Sequence, residues 1–206
     1  MTDAQRGPRN AQPATPTRLV IGLSGSTGPH YGVRLLEILR EQRPDIETHV
    51  ILSNAARLTI DYEMGRNPDD VAALAHTLHD ERNIAASIAS GSFVTDGMIV
   101  APCSIKTLSA IANSFNDNLI ARADDVCLKE RRKLVLVVRE TPLHLGHLRL
   151  MQQATEAGAV ILPPVPGFYH RPQSIQDLVD HTVTKILDQF GIHLDLIQRW
   201  HGLEPS

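Results

Sequence analysis

A chain of 206 residues is enough for one ordinary domain and too short for two. With 42% hydrophobic and 21% charged residues and a net charge of -3, it is not a disordered, collagen-like or coiled-coil chain, and it lacks the basic footprint of a nucleic-acid binder. Two cysteines, Cys103 and Cys127, are too few for a disulfide framework and point to a reducing compartment. No apolar run reaches the roughly 18 residues of a membrane span. Without a targeting signal the expected location is the cytoplasm. Aromatic residues are only 4% of the chain, so the core must rest on Leu, Ile, Val and Ala. Each ring outside a regular element then needs a reason.

Residues 1–17, with three prolines and almost no large apolar side chains, read as a disordered arm. Order is expected from Arg18. The run Leu19-Val20-Ile21-Gly22-Leu23 predicts a buried strand that feeds the loop Ser24-Gly25-Ser26-Thr27-Gly28. Leu35, Leu36, Ile38 and Leu39 sit at helical spacing. Thr48 to Leu52 predicts a second strand, and Asn54 to Met64 and Pro68 to His79 predict helices. Met98 to Ala101 is a third strand, stopped by Pro102. Helices are expected over Ser104 to Ala112 and Asn118 to Glu130. Leu134 to Val138 is an unbroken aliphatic strand. Leu145 to Ala157 predicts a helix, Val160 to Leu162 a short strand, and Ile175 to Phe190 a last amphipathic helix.

Continuous apolar strands alternating with helices define a mainly parallel sheet covered on both faces. The expected fold is a single doubly wound α/β domain spanning 18–206. Ligands of such folds bind beyond the carboxyl ends of the strands. That directs attention to loops 24–32, 53–55, 102–107 and 139–147.

In loop 24–28, glycines let backbone N–H groups approach an anion, and Ser24, Ser26 and Thr27 add hydroxyls. The pattern suits a phosphate monoester or simply a tight strand-to-helix turn. It is not a Walker loop, since no Gly-Lys-Ser/Thr follows, and it does not keep dinucleotide spacing. Loop 101–107 likewise joins a strand end to a helix start. Cys103, preceded by an apolar strand and Pro102, reads as a buried small hydrophobe more readily than as a nucleophile. Lys106 either meets an anion or is solvated. The cations Arg122, Lys129, Arg131, Arg132, Lys133 and Arg139 flank the core strand. Glu140 follows as a general acid or base, or as the partner of Arg139. The proline-rich loop 163–172 holds Phe168 and Tyr169 and suits a lid, a pocket wall or a stapled crossover. The scattered histidines match no metal-ligand spacing.

Seven segments together carry a resemblance. They are Gly-Ser-Thr-Gly-x-x-Tyr-Gly at 25–32, Ala-Pro-Cys-Ser-Ile-Lys-Thr-Leu at 101–108, Asp-Asn-Leu at 117–119, Asp-Val-Cys-Leu-Lys-Glu-Arg-Arg at 125–132, Arg-Glu-Thr-Pro-Leu at 139–143, His-Leu-Arg-Leu-Met at 147–151 and Pro-Gly-Phe-Tyr-His-Arg-Pro-Gln-Ser at 166–174. In this order and spacing the chain resembles the UbiX-type flavin prenyltransferases over residues 18 to 203. Its close, Arg-Trp-His-Gly-Leu at 199–203, is most similar to members associated with hydroxyaromatic acid decarboxylases.

The resemblance implies a flavin-binding domain of Rossmann-like or flavodoxin-like type with a C-terminal interface tail, assembled as a homododecamer, that needs no metal. Such a protein joins the dimethylallyl group of dimethylallyl monophosphate to N5 and C6 of reduced FMN. The prenylated FMN then serves a UbiD-type decarboxylase. The resemblance assigns FMN contacts to Gly25, Ser26, Thr27, Ser53, Ser104, Ile105, Lys106, Thr107 and Arg139. It assigns the prenyl phosphate to Tyr169 and Lys185, with Arg122 and Lys129 as cationic neighbours. Glu140 is expected to handle protons, with Thr27 available for proton relay, and Trp200 to offer a π face to an allylic cation or to anchor an interface. Neighbouring subunits are expected to complete the pocket. Two departures stand out. The usual Gly-Ala-Ser-Gly reads Gly25-Ser26-Thr27-Gly28, which adds a methyl and an expectation of crowding. The usual Arg-Ala-Ala-Asp reads Arg122-Ala123-Asp124-Asp125, and Asp124 is expected to weaken the site by placing a negative charge near the phosphate cations.

Two other readings stay open. Flavin-dependent cysteine decarboxylases would carry Pro-Ala-x-Ala-Asn-Thr where this chain has Pro102-Cys-Ser-Ile-Lys-Thr107, and a Met-rich clamp that it lacks. A flavin-binding accessory protein without transferase activity is the second.

Overall fold

The computed structural model describes residues 18–200 and Gly202. The expected disordered arm 1–17 and the last residues of the tail lie outside them. Six parallel strands are β1 (Arg18–Leu23), β2 (Glu47–Leu52), β3 (Thr77–His79), β4 (Gly97–Cys103), β5 (Lys133–Val138) and β6 (Val160–Ile161). Seven helices connect and follow them: α1 (His30–Gln42), α2 (Asn54–Met64), α3 (Pro68–Ala72), α4 (Ile105–Ala112), α5 (Leu119–Lys129), α6 (Leu145–Ala157) and α7 (Ile175–Asp188).

The sheet order is β3-β2-β1-β4-β5-β6. Order therefore reverses between β1 and β4, and their carboxyl ends open the crevice where doubly wound folds bind ligands. The continuous apolar runs are buried because both sheet faces are covered. On one face Leu19, Ile21 and Val135 pack with Leu35, Leu36 and Leu39 of α1 and Val183 and Ile186 of α7. On the other, Val20, Met98 and Leu136 pack with Leu108 of α4, Ile120 of α5 and Ala154 of α6.

Two expectations fail on local chemistry. The helix predicted over Pro68 to His79 stops at Ala72, and Thr77–His79 pairs with β2 as an edge strand. The alanine-rich run fits a helix, but His76 donates its N–H to the Thr48 carbonyl at 3.1 Å and draws the chain onto the sheet. Tertiary pairing overrides local propensity here. Nor does Pro102 stop the third strand. β4 runs on to Cys103, with a register shift between Val100 and Cys103 that absorbs the missing N–H.

Candidate functional site

The carboxyl ends of the central strands are tied together by their loops. Ser24, almost fully buried, donates its hydroxyl to the Pro102 carbonyl at 2.9 Å and accepts the Ser104 N–H at 2.8 Å. Ser26 donates its hydroxyl to the Arg139 carbonyl at 2.9 Å. Ser53 N–H bonds the Leu23 carbonyl, and Arg139 N–H the Cys103 carbonyl. The hydroxyls of Ser24 and Ser26 thus bind the loops together rather than standing free as donors. Gly25 is required by contact: a Cβ there would lie 2.1 Å from the Ala55 Cβ. Its lack of a side chain lets the first loop rest on the start of α2.

Beside these loops lies a cleft of about 370 Å³, lined by Gly25, Ser53, Asn54, Ser104, Lys106 and Thr107 on one side and Glu81, Asp117 and Asn118 on the other. Three helices begin at it. Ser53 caps α2 by accepting the Ala56 N–H, Ser104 caps α4 by accepting the Thr107 N–H, and Asn118 caps α5 by accepting the Ala121 N–H. Each start turns spare N–H groups and the positive end of a helix dipole toward the same space. Lys106 supplies a full positive charge, and among the described residues no carboxylate pairs with it or with Arg139. This donor set matches a phosphate monoester. The carboxylates of Glu81 and Asp117 add acceptors suited to a polyol. Sequence reasoning met Asp117 only within the Asp-Asn-Leu segment, without a role, and missed Glu81 and Glu63, whose Oε2 accepts the Gly28 N–H at 2.9 Å.

The remaining assigned residues fall into three places. Ile105 is the first residue of α4, and Thr27 is exposed at the loop tip, so its methyl meets no crowd within this chain. Glu140 is exposed, and its Oε1 accepts the Thr141 N–H at 3.0 Å. It makes no ion pair with Arg139, which corrects the reading of the two as partners. The Arg139 guanidinium instead lies toward Tyr31, opposing the upward push that burial exerts on that phenol. Tyr169, Lys185 and Trp200 form a second group around α7, with the Tyr169 and Trp200 rings 6.2 Å apart and nearly perpendicular. Arg122 and Lys129 join neither group. Arg122 is held by the Ala89 carbonyl and Asp125, and Lys129 ends α5 at the opposite end of the sheet, paired with Glu130.

Asp124 does not sit near any of these cations. It is 0% exposed, on the face of α5 that meets β4, and neither carboxylate oxygen has a hydrogen-bond partner among the described residues. Burial first, and Asp125 second, drive its pKa well above the carboxylate range. It is a neutral core acid, so the expected weakening of a phosphate site is not what this residue does. Burial, the main cause at both, pushes the Cys127 thiol up to about 12 and drives Cys103 up as well. Neither thiol is a nucleophile at neutral pH.

A doubly wound α/β domain with a phosphate cleft at its switch point is the architecture of a flavoprotein, and the chain matches the Flavoprotein family over residues 9–187. It is 59% identical to the flavin prenyltransferase UbiX of Thauera aromatica, over 91% of this chain and 95% of that one. It is 61% identical to the UbiX of Escherichia coli K12, over 90% and 98%. Among solved structures it superposes on AnUbiX (PadA1), crystallised with FMN and dimethylallyl pyrophosphate, at a TM-score of 0.89 with 49% identity, covering 92% of this chain and all of that one. A dodecameric UbiX-like protein of Escherichia coli O157:H7 follows at 0.88, with 48% identity, 90% of this chain and all of that one. The chain belongs to the UbiX-type flavin prenyltransferases. Cysteine decarboxylases such as SpaF, at 16% identity and a TM-score of 0.59, share the fold alone.

Proposed function

We propose that this protein transfers the dimethylallyl group of dimethylallyl monophosphate to reduced FMN, joining it to N5 and C6, and that the prenylated FMN is delivered to a UbiD-type decarboxylase in the cytoplasm. The observation that carries the reading is the convergence of three capped helix starts with Lys106, unpaired among the described residues, on one cleft beside the sheet's switch point. That set fits the FMN phosphate, with Gly25, Ser26, Thr27, Ser53, Ser104, Ile105 and Thr107 around it. Reduced FMN supplies the nucleophilic N5 and C6.

The chain's own residues bind, orient and move protons. Tyr169 and Lys185 hold the donor phosphate, and Lys185 stabilises the charge that grows on it as the carbon–oxygen bond breaks. The π face of Trp200 lies toward the allylic carbon as it becomes positive. Glu140, exposed just beyond the end of β5, takes the proton released at the flavin, and Thr27 offers a hydroxyl for relay. Arg122 and Lys129 turn away from the cleft of their own chain and reach the donor of a neighbouring copy. Trp200, 57% exposed, is positioned to meet such a neighbour. A homododecamer like that of the structural relative supports this arrangement. No metal is needed in this scheme.

The test couples the reaction to its consumer. Purified protein, reduced FMN and dimethylallyl monophosphate are incubated without oxygen, and the filtrate is given to a cofactor-free UbiD-type decarboxylase. Decarboxylation is expected only when all three components were present. An inactive filtrate from protein that retains FMN supports the accessory-protein reading instead.

A further inference from the structure

Loop 163–172 and α7 enclose a histidine pair that the flavin cleft does not use. His170 and His181 stack face to face, with ring centroids 5.1 Å apart and planes within 5°. His181 is only 8% exposed, and all four ring nitrogens are buried without a hydrogen-bond partner among the described residues. Buried polar groups are normally satisfied, so an orphaned pair needs an explanation.

Its surroundings give one. Tyr169 packs its ring against both imidazoles, at 5.3 Å from His170 and 5.7 Å from His181. Lys185 lies one helical turn beyond His181 on α7. The loop backbone presses on the pair: a Cβ at Gly167 would lie 2.9 Å from His181 Nε2. Of the two groups proposed to hold the donor phosphate, Tyr169 therefore rests on the imidazole stack and Lys185 stands one turn from it.

Among the described residues no charged group around the stack hydrogen-bonds an imidazole nitrogen. Lys185 faces it from α7 as a cation. Asp177 lies toward His170, but it is engaged by the N–H groups of Gln173 and Ser174. In the tail Arg199 is bound to Asp188, which also meets His193, and in α1 Arg34 is bound to Asp180.

We propose that His181, stacked on His170, is a positioning residue of the prenyl-donor site, and that the stack holds Tyr169 and Lys185 in register for the donor phosphate. This rests on the transferase reading above. Burial first, then His170 and Lys185, hold His181 below the ordinary histidine range. A neutral His181 therefore keeps the stack intact above the ordinary pKa of about 6.5, and its contribution is lost as pH falls below that value. A proton then places an unpaired cation between the loop and α7, and the loop separates from the helix.

The experiment uses the full-length protein and His181→Phe, which keeps a flat ring and cannot titrate. The donor's own phosphate titrates near pH 6, so wild type and variant are compared at each pH. Between about pH 7.5 and 5.5, the KM for dimethylallyl monophosphate is expected to rise about tenfold more in wild type than in the variant. The FMN Kd should differ between the two proteins by less than about twofold at either pH. The chain's only tryptophan gives a readout without turnover. Trp200 stands beside Tyr169, so the emission of ligand-free wild type is expected to change as His181 is protonated, and that part of the change to be absent from His181→Phe. Parallel KM profiles, or FMN binding that shifts as far as donor binding, overturn the inference. A level wild-type emission titration also overturns it, whatever the transferase assay gives. Absence of prenyl transfer by wild type at neutral pH overturns the parent reading instead. His181→Asn repeats both measurements if the Phe variant does not fold.

Discussion

Glu140→Gln is expected to lower the rate of flavin prenylation by roughly 10²–10⁴-fold, the usual worth of a general acid or base. FMN affinity should stay within about twofold of wild type. The geometry allows this separation. Glu140 Oε1 accepts the Thr141 N–H, and a glutamine carbonyl accepts the same bond, so the turn after β5 keeps its shape. Arg139 does not depend on Glu140 for a partner, so the cation survives the substitution. Only the capacity to take and return a proton is removed. Rapid-mixing measurement of prenylated flavin, with FMN binding followed by fluorescence quenching, separates the two effects. Loss of FMN binding in this variant makes Glu140 structural and contradicts its place in proton transfer.

The second large effect concerns stability. Asp124→Ala is expected to raise the melting temperature by roughly 2–12 °C at neutral pH. A buried, unpartnered polar group costs about 1–3 kcal/mol, and each kcal/mol moves a domain of this size by about 2–4 °C. The gain depends on pH in a fixed direction. The unfolded chain ionises Asp124 above its ordinary pKa of 3.8, whereas the folded chain keeps it neutral far higher. To that fixed cost an ionisation penalty is added, absent below that value and growing as pH rises through and beyond it. Calorimetry near pH 4 and pH 8 should show a gain at both, larger at the second, consistent with linkage at a single buried carboxyl. FMN affinity should not change, because Asp124 faces the core. A gain independent of pH, or a fall in melting temperature, contradicts the assignment of a neutral buried acid.

Asp124 also marks what was legible in the sequence. Ile120, Ala123, Asp124 and Cys127 recur at helical spacing on the buried side of α5, and that periodicity already puts the carboxylate in the core. Its charge is what stands out in the motif, yet the helical face is the better guide. The strands β1, β2, β4 and β5 were legible because a parallel sheet covered on both faces needs unbroken aliphatic runs. The three residues of β3 carry no such run, and only their pairing with β2 makes them a strand. The cleft was legible in outline, since Ser53, Ser104 and Asn118 are cap residues at predicted helix starts. What no local pattern gave was the use of side chains across the fold. Ser24 closes onto Pro102 and Ser104, and Glu63 reaches Gly28, because distant loops meet at one sheet edge. The imidazole stack under Tyr169 escaped for the same reason: His170 and His181 are eleven positions apart and meet only when the proline-rich loop folds back on α7.

The most direct measurement is the mass of the flavin after one anaerobic incubation of the purified protein with reduced FMN and dimethylallyl monophosphate. The transferase account predicts FMN carrying one additional C5H8 unit, released phosphate in equal amount, and no such product from the Glu140→Gln variant on the same timescale. Recovery of unmodified FMN from protein that binds both ligands contradicts it.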